Sequence, residues 1–418
     1  MVFTRLRVVA ILAAVAIAAT ACGGDDSSSN GSTGGEGSAE AKGSITVWAM
    51  GAEGDELGAF AKDFMTENPD IKVRVTPVSW DVAHDKILTS IAGSKTPDVS
   101  LIGTTWMAEF AETGALDETP DSIDKSAFLP NAWKTVNVQG TEYGVPWYVE
   151  TRALYYRTDL AKKAGWSEPP ATWDELKQLA MDLKQKAGAQ NGIALAPNNW
   201  QELLPFAWQS GSEVATDDGT FELDDAGMVK ALTYDKSFFD EGLTPKRVPQ
   251  GFDVTQGFVN GTHPMFFSGP WHLGLIKDQG GAKLQGKWDV ALYPKGDKSR
   301  TSFLGGGNLA VFKDAKNKEA AWKFVEWLSQ PDVQARWFET VSDLPATKDA
   351  YNNGALAKDK HLKLFREQLD DASPPPVLAK WEEVASSINE EMEKVTTGGT
   401  SPEEGAKQMQ QKAESIAG

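Results

Sequence analysis

The chain has 418 residues, a length that at roughly 150 residues per domain points to two or three folded units. Hydrophobic residues make up 41% and charged residues 24%, ordinary globular usage that excludes wholesale disorder. Forty-one Lys and Arg against 59 Asp and Glu leave a formal charge of −18. So acidic a surface repels phosphate backbones and anionic membranes, and no nucleic-acid partner is expected. One cysteine excludes an internal disulfide and a Cys-based zinc site. The four histidines (His84, His263, His272, His361) are too scattered to form a metal motif, so no metal or cofactor is expected.

Residues 1–21 read as an export signal. Arg5 and Arg7 supply a basic start, and residues 8–19 are an unbroken apolar run of 12, shorter than the roughly 17–25 a spanning helix needs. Small residues precede Cys22, so the one cysteine stands where a lipoprotein leader places its lipidated residue. A plain secretory cleavage near Ala21 is the simpler alternative. Residues 23–42 contain 11 Gly or Ser among 20 and lack the apolar content to fold. They are expected to act as a flexible linker between the membrane and a folded body.

Strand, helix, strand, helix, strand follow in order. SITVW (44–48) reads as a buried strand. Leu57, Phe60, Ala61, Phe64 and Met65 form one helical stripe, ended by Asn68-Pro69. Residues 71–75 alternate as a second strand, 81–92 suit a helix, and 97–103 suit a third strand. This order predicts an α/β fold with parallel strands, whose ligands bind beyond the strands' carboxyl ends. Thr172-Trp173-Asp174-Glu175 is a capping box, followed by a helix burying Leu176, Leu179, Ala180, Leu183 and Ala187. Residues 193–196 suit a short strand, and 216–225 a turn and helix cap. Helices are expected over 320–328, from Pro331, and over 381–395.

Enzyme signatures are absent: no GxSxG, HExxH, GxxxxGK[ST], or GxGxxG after a strand. Gly305-Gly306-Gly307 lacks the spacing of a phosphate loop. Glu53 and Glu150 could be imagined as a glycosidase pair, but with 59 acidic residues some such pair is inevitable. The better signal is aromatic residues where strands should end: Trp80, Trp106, Trp147, Trp200 and Trp271. Each has a hydrogen-bonding neighbour, namely Asp81, Glu109, Glu150, Glu202 or His272. Flat rings beside planar polar groups suit a pyranose, whose C–H face packs on the ring while its hydroxyls bond at the rim. Packing in a core is the competing role for every one of these tryptophans, and the expected role for Trp173, Trp322, Trp327 and Trp337. Arg152 could bond a sugar or pair with an acid. His84 and His361 read as surface residues.

Four stretches together resemble the extracellular solute-binding proteins of ABC sugar importers, the carbohydrate group that includes maltose-binding protein. They are VPWYVETRALYYRTDLAKKAGW (145–166), ATWDELKQLA (171–180), MFFSGPWHLG (265–274) and FLGGGNLAVFKDAKNKEAAWKFVEWLSQPDVQ (303–334). The resemblance implies a two-lobe α/β fold with three interlobe crossovers, at 149–154, 294–303 and 342–345. One lobe would combine 43–148 with 304–341, and the other 155–293 with 346–418. It implies a binding role rather than catalysis, with Trp271 stacked on the sugar. The expected ligand contacts are Glu53, Trp80, Asp81, Thr105, Trp106, Trp147, Glu150, Arg152, Trp200, Glu202, Trp271, Gly306, Asn308 and Asp343, around an uncharged di- or trisaccharide. The expected partners are ABC permease subunits with a cytoplasmic ATPase, the protein itself being a monomer held on the outer face of the membrane by the Cys22 lipid. A secreted carbohydrate-acting enzyme, or the same fold holding a polyamine, peptide or phosphate ester, are the alternatives.

Overall fold

A computed structural model describes residues 41–216, 218–247 and 253–418. The expected leader, Cys22 and the linker as far as residue 40 lie outside the described residues. Within the compact unit Glu40–Gly418, β1 (Gly43–Met50), β2 (Ile71–Val78) and β3 (Val99–Gly103) are parallel neighbours, with β1 in the middle. β4 (Val145–Thr151) extends the same sheet, and after Arg152 alone the chain enters β5 (Ala153–Tyr156) of a second sheet. That smaller sheet is antiparallel, with β5 between β6 (Met265–Ser268) and β7 (Asp289–Ala291). β8 (Ser302–Val311) then returns to the larger sheet between β3 and β4, antiparallel to both. β9 (Leu344–Pro345) edges β4, and β10 (Ala372–Ser373) pairs with the start of β8.

All five residues of β3 are buried, because helices cover both faces of a parallel sheet and leave no polar side. The helix Gly51–Glu67 buries Leu57, Ala61 and Phe64. Phe60, predicted to be on that stripe, is half-buried and packs edge-on to Trp337 at 4.9 Å. The capping box forms with a shifted partner. The Glu175 amide donates to Thr172 Oγ1 at 3.3 Å, while the Glu175 carboxylate accepts from the Ala171 amide at 2.7 Å. Residues 193–196 make a single bridge, Ala194 to Phe266, rather than a strand. In 216–225, Asp225 Oδ1 caps the helix Ala226–Asp240 by accepting from the Met228 amide.

Two apolar clusters form the interior. One lies around the larger sheet and reaches the smaller one through Tyr155, Phe266 and Val290. The other gathers Trp173, Phe206, Phe238, Tyr293, Trp381 and Met409. The sequence expectation gave all of 346–418 to the second lobe, and the structure divides that stretch. Thr347 bridges Phe128 and bonds Gln334 at 3.0 Å, beside the larger sheet. The helix Lys360–Asp370 packs on β7 of the smaller sheet and on β4 and β8 of the larger, with Phe365 against Tyr155 and Gln368 Oε1 accepting from the Tyr293 amide. Only from Trp381 onward do the buried residues belong to the second cluster. His361 is therefore not a surface residue but stacks on Trp288 at 5.3 Å.

The Gly305-Gly306-Gly307 run lies mid-strand in β8. Gly306 has φ +133°, and a Cβ there would sit 2.2 Å from the Tyr148 carbonyl oxygen of β4. Only a residue without a side chain allows the two strands to pair. Gly306→Ala is expected to lower the unfolding free energy by about 1–3 kcal/mol from backbone strain alone, measured as a shift in the urea midpoint with unchanged slope.

Candidate ligand-binding cleft

Three strand–helix turns of the larger sheet aim their side chains at one place. Glu53 follows β1 in the first turn of its helix, Trp80 opens the helix after β2, and Thr105 and Trp106 lie in the turn after β3. They line a cavity of about 590 Å³, within the usual range of small-molecule sites. Trp80 and Trp106 meet edge to face at 5.5 Å and form one aromatic wall. Gly51, with φ +56°, lets that wall close: a Cβ there would lie 2.9 Å from the Trp80 indole nitrogen. Opposite stand Trp200 and Trp271, each the first residue of its helix. Trp200 is braced edge-on by Trp381 at 5.3 Å and Phe303 at 5.7 Å.

The polar lining combines the carboxylates of Glu53, Glu150, Asp343 and Glu382 with Thr104, Thr105, Tyr148, Gln201 and Ser342. Glu53 is 7% exposed, and Tyr148 lies within hydrogen-bond reach of it. Burial, and then the Glu150 charge, push the Glu53 carboxyl above its ordinary range. Asp343 accepts from the Trp337 indole at 3.2 Å, and burial followed by the Glu53 charge raises it well above the ordinary value. Burial raises the Tyr148 hydroxyl too, with Glu53 and Asp343 adding to the effect. The two carboxylates and the phenol thus form one group in which not every acid can be ionised comfortably.

Arg152 occupies the link between the sheets. Its guanidinium donates to both Glu150 oxygens, at 3.2 and 3.4 Å, and to Gln201 Oε1 at 3.2 Å. The same group lies 4.7 Å over the Trp271 ring and 5.6 Å from Phe303. Its backbone is held by Ser302, whose hydroxyl donates to the Arg152 carbonyl at 2.8 Å. Arg152 therefore pairs with an acid and stands behind the lining rather than in it.

Of the expected contacts, Glu53, Trp80, Thr105, Trp106, Glu150, Trp200, Trp271, Gly306 and Asp343 line the cavity. Trp147 does not: it is 1% exposed and stacks on Trp337 at 4.8 Å, on the core side of β4. Asn308 is fully buried, accepting from the Thr135 hydroxyl at 3.1 Å beyond a register shift in β8. Asp81 is exposed, one helical position round from Trp80. Glu202 accepts from the Ala196 amide at 3.0 Å and lines a separate small hollow with Phe266 and Phe267. The sequence reading missed Tyr148, Gln201, Phe303, Ser342 and Glu382. Tyr148 could have been found from strand alternation, since it shares the Glu150 face of β4 and Trp147 takes the other.

A sequence profile of the bacterial extracellular solute-binding proteins matches residues 59–364. The chain belongs to that family. A putative binding protein of Brucella abortus is 31% identical over 364 residues, 85% of this chain and 88% of that one. A maltotriose-binding protein of Pyrococcus abyssi is 27% identical, covering 83% and 77% of the two chains. Among solved structures, the sugar-binding protein MalE of Xanthomonas citri superposes with a TM-score of 0.84 at 33% identity, over 90% of this chain and 97% of that one. The two-lobe α/β solute-binding fold is thereby established.

Burial pushes the Glu202 carboxyl from 4.5 up to about 7. Between those values the folded state keeps a proton that the unfolded chain has lost, so stability falls as pH rises through the window. Glu202→Gln is expected to remove this part of the slope. Denaturant unfolding at pH 5 and pH 8 should show the variant losing less stability than the parent across that range.

Proposed function

We propose that this protein captures a small oligosaccharide, a di- or trisaccharide, and delivers it to a membrane permease of the ABC type. The carrying observation is that four indoles, the paired Trp80 and Trp106 together with Trp200 and Trp271, line one cavity with the carboxylates of Glu53, Glu150, Asp343 and Glu382. Apolar sugar faces pack on indole rings while hydroxyls donate to Glu53, Glu150 and Asp343, and the stripped glycines of β8 let a ring lie close to the backbone. Relatives support the reading, since several are named for maltotriose, diacetylchitobiose and maltose. One relative is instead a glycerol-3-phosphate-binding protein, but the described lining here holds no Lys or Arg to meet a phosphate. Those relatives are binding proteins, which favours a receptor over the secreted enzyme.

In this reading the lobes combine residues 43–148 with 304–341, and 155–293 with most of the remaining C-terminal chain. Closure about the linking segments would bring the walls onto the sugar, because contacts from both sides favour the closed state. Cys22 would carry the lipid that keeps a monomeric receptor on the outer surface of the cell membrane. Among the described residues no helix is long and apolar enough to cross a membrane, consistent with attachment at one end.

A calorimetric titration with a panel of disaccharides and trisaccharides tests the proposal; silence from every sugar beside tight binding of another solute would remove it. Trp271→Ala is expected to weaken binding of the responding sugar by about 2 kcal/mol or more, roughly 30-fold, with unchanged thermal unfolding. Retained affinity in a folded variant would make Trp271 a packing residue only.

A further inference from the structure

We propose that the captured saccharide carries a protonated amine, so that the cleft selects an amino-sugar chain over its neutral counterpart. This rests on the oligosaccharide reading and narrows it. The sequence favoured an uncharged ligand because polar groups beside rings suit hydroxyls. The structure changes the charge balance at the site itself. Four carboxylates line the cavity, from Glu53, Glu150, Asp343 and Glu382, and no Lys, Arg or His is among its described lining residues. The nearest cation, Arg152, has its fork committed to Glu150 and Gln201. Glu53 and Asp343 have no cationic partner among the described residues.

A neutral sugar that closed this cleft would strip water from Glu53 and Asp343 and return no compensating charge. An ammonium group in place of one hydroxyl supplies three donors and the missing charge. The walls suit it as well, because indole faces attract cations, and Trp271 already has the Arg152 guanidinium 4.7 Å over its ring. The rest of the polar lining, the Gln201 amide and the hydroxyls of Thr104, Thr105, Tyr148 and Ser342, can both donate and accept. Burial and mutual repulsion raise the carboxyls of Glu53 and Asp343, which Glu150, Tyr148 and the Trp337 indole face. An arriving ammonium lowers both carboxyls again, so that any proton they hold is released on binding.

The test is calorimetry at pH 7 on the full protein with three matched pairs. They are cellobiose and β-1,4-linked diglucosamine, trehalose and 2-amino-2-deoxytrehalose, and maltose and 2-amino-2-deoxymaltose. In the pair whose linkage fits, the amino member is expected to bind at least tenfold tighter. That preference should shrink with added salt, and titrations in two buffers of different ionisation enthalpy should show proton release. Glu53→Gln and, separately, Asp343→Asn, each checked for intact thermal unfolding, should weaken the amino member more than its neutral partner, so that the ratio of the two affinities falls toward one. Equal or tighter binding of the neutral member in every responding pair overturns this inference and leaves the oligosaccharide reading standing. Silence from all six, with heat from another neutral sugar, also overturns the inference alone; silence from every saccharide removes both.

Discussion

The guanidinium of Arg152 joins parts of the molecule that would otherwise be free to move apart. It sits on the one residue separating β4 of the larger sheet from β5 of the smaller. From there it reaches back to Glu150, across to Gln201, and under the rings of Trp271 and Phe303. A charge-assisted fork of this kind is stronger and more directional than neutral hydrogen bonds, and a lysine could not reproduce its planar geometry. Trp271, Phe303, Glu150 and Gln201 are therefore oriented by a group that does not itself line the cleft. Any rotation of the lobes about this link must either carry the fork along or break it.

Why the site lies where it does follows from the sheet. β1, β2 and β3 run parallel, so their carboxyl ends share one edge, and the first residues after each strand converge there. Glu53, Trp80 and Trp106 come from stretches far apart in sequence yet meet because each is an end-of-strand residue. β8 crosses this edge in the opposite direction with three glycines where side chains would fill the space. The cavity is in that sense a place where the sheet has been kept bare.

The sequence was most legible where periodicity and caps act locally. Parallel strand order, the main helix stripes and the strand-end tryptophans Trp80, Trp106 and Trp271 could all be read from residue pattern, whereas Trp200 lines the cavity although the strand expected before it is only a bridge. It was least legible where one residue of register decides the face. Trp147 and Tyr148 are adjacent, and alternation puts one into the core against Trp337 and the other into the cleft. A reading that follows the larger ring chooses wrongly. Gln201 and Glu202 repeat the lesson on a helix, where consecutive residues are about 100° apart and only one can face the cavity. Phe303 and Glu382 carried no local mark at all, because their place in the lining depends on how the two sheets are brought together.

Glu53 and Glu150 do end up in one cavity, the arrangement that a hydrolytic reading would want. What separates the two readings is the company they keep. Glu150 is held by the Arg152 fork at 3.2 and 3.4 Å, so both its oxygens are already engaged in a structural pairing. Glu53 is buried beside Tyr148 and Asp343, and burial with the neighbouring acids raises all three groups together rather than singling out one acid. A general acid needs a positioned proton within reach of the bond it breaks. A receptor needs only that its carboxylates accept bonds and that the captured molecule satisfies them. Aromatic walls, a fixed fork and a crowded acidic floor meet the second requirement, and they make the identity of the solute a question of which donors and charge it brings.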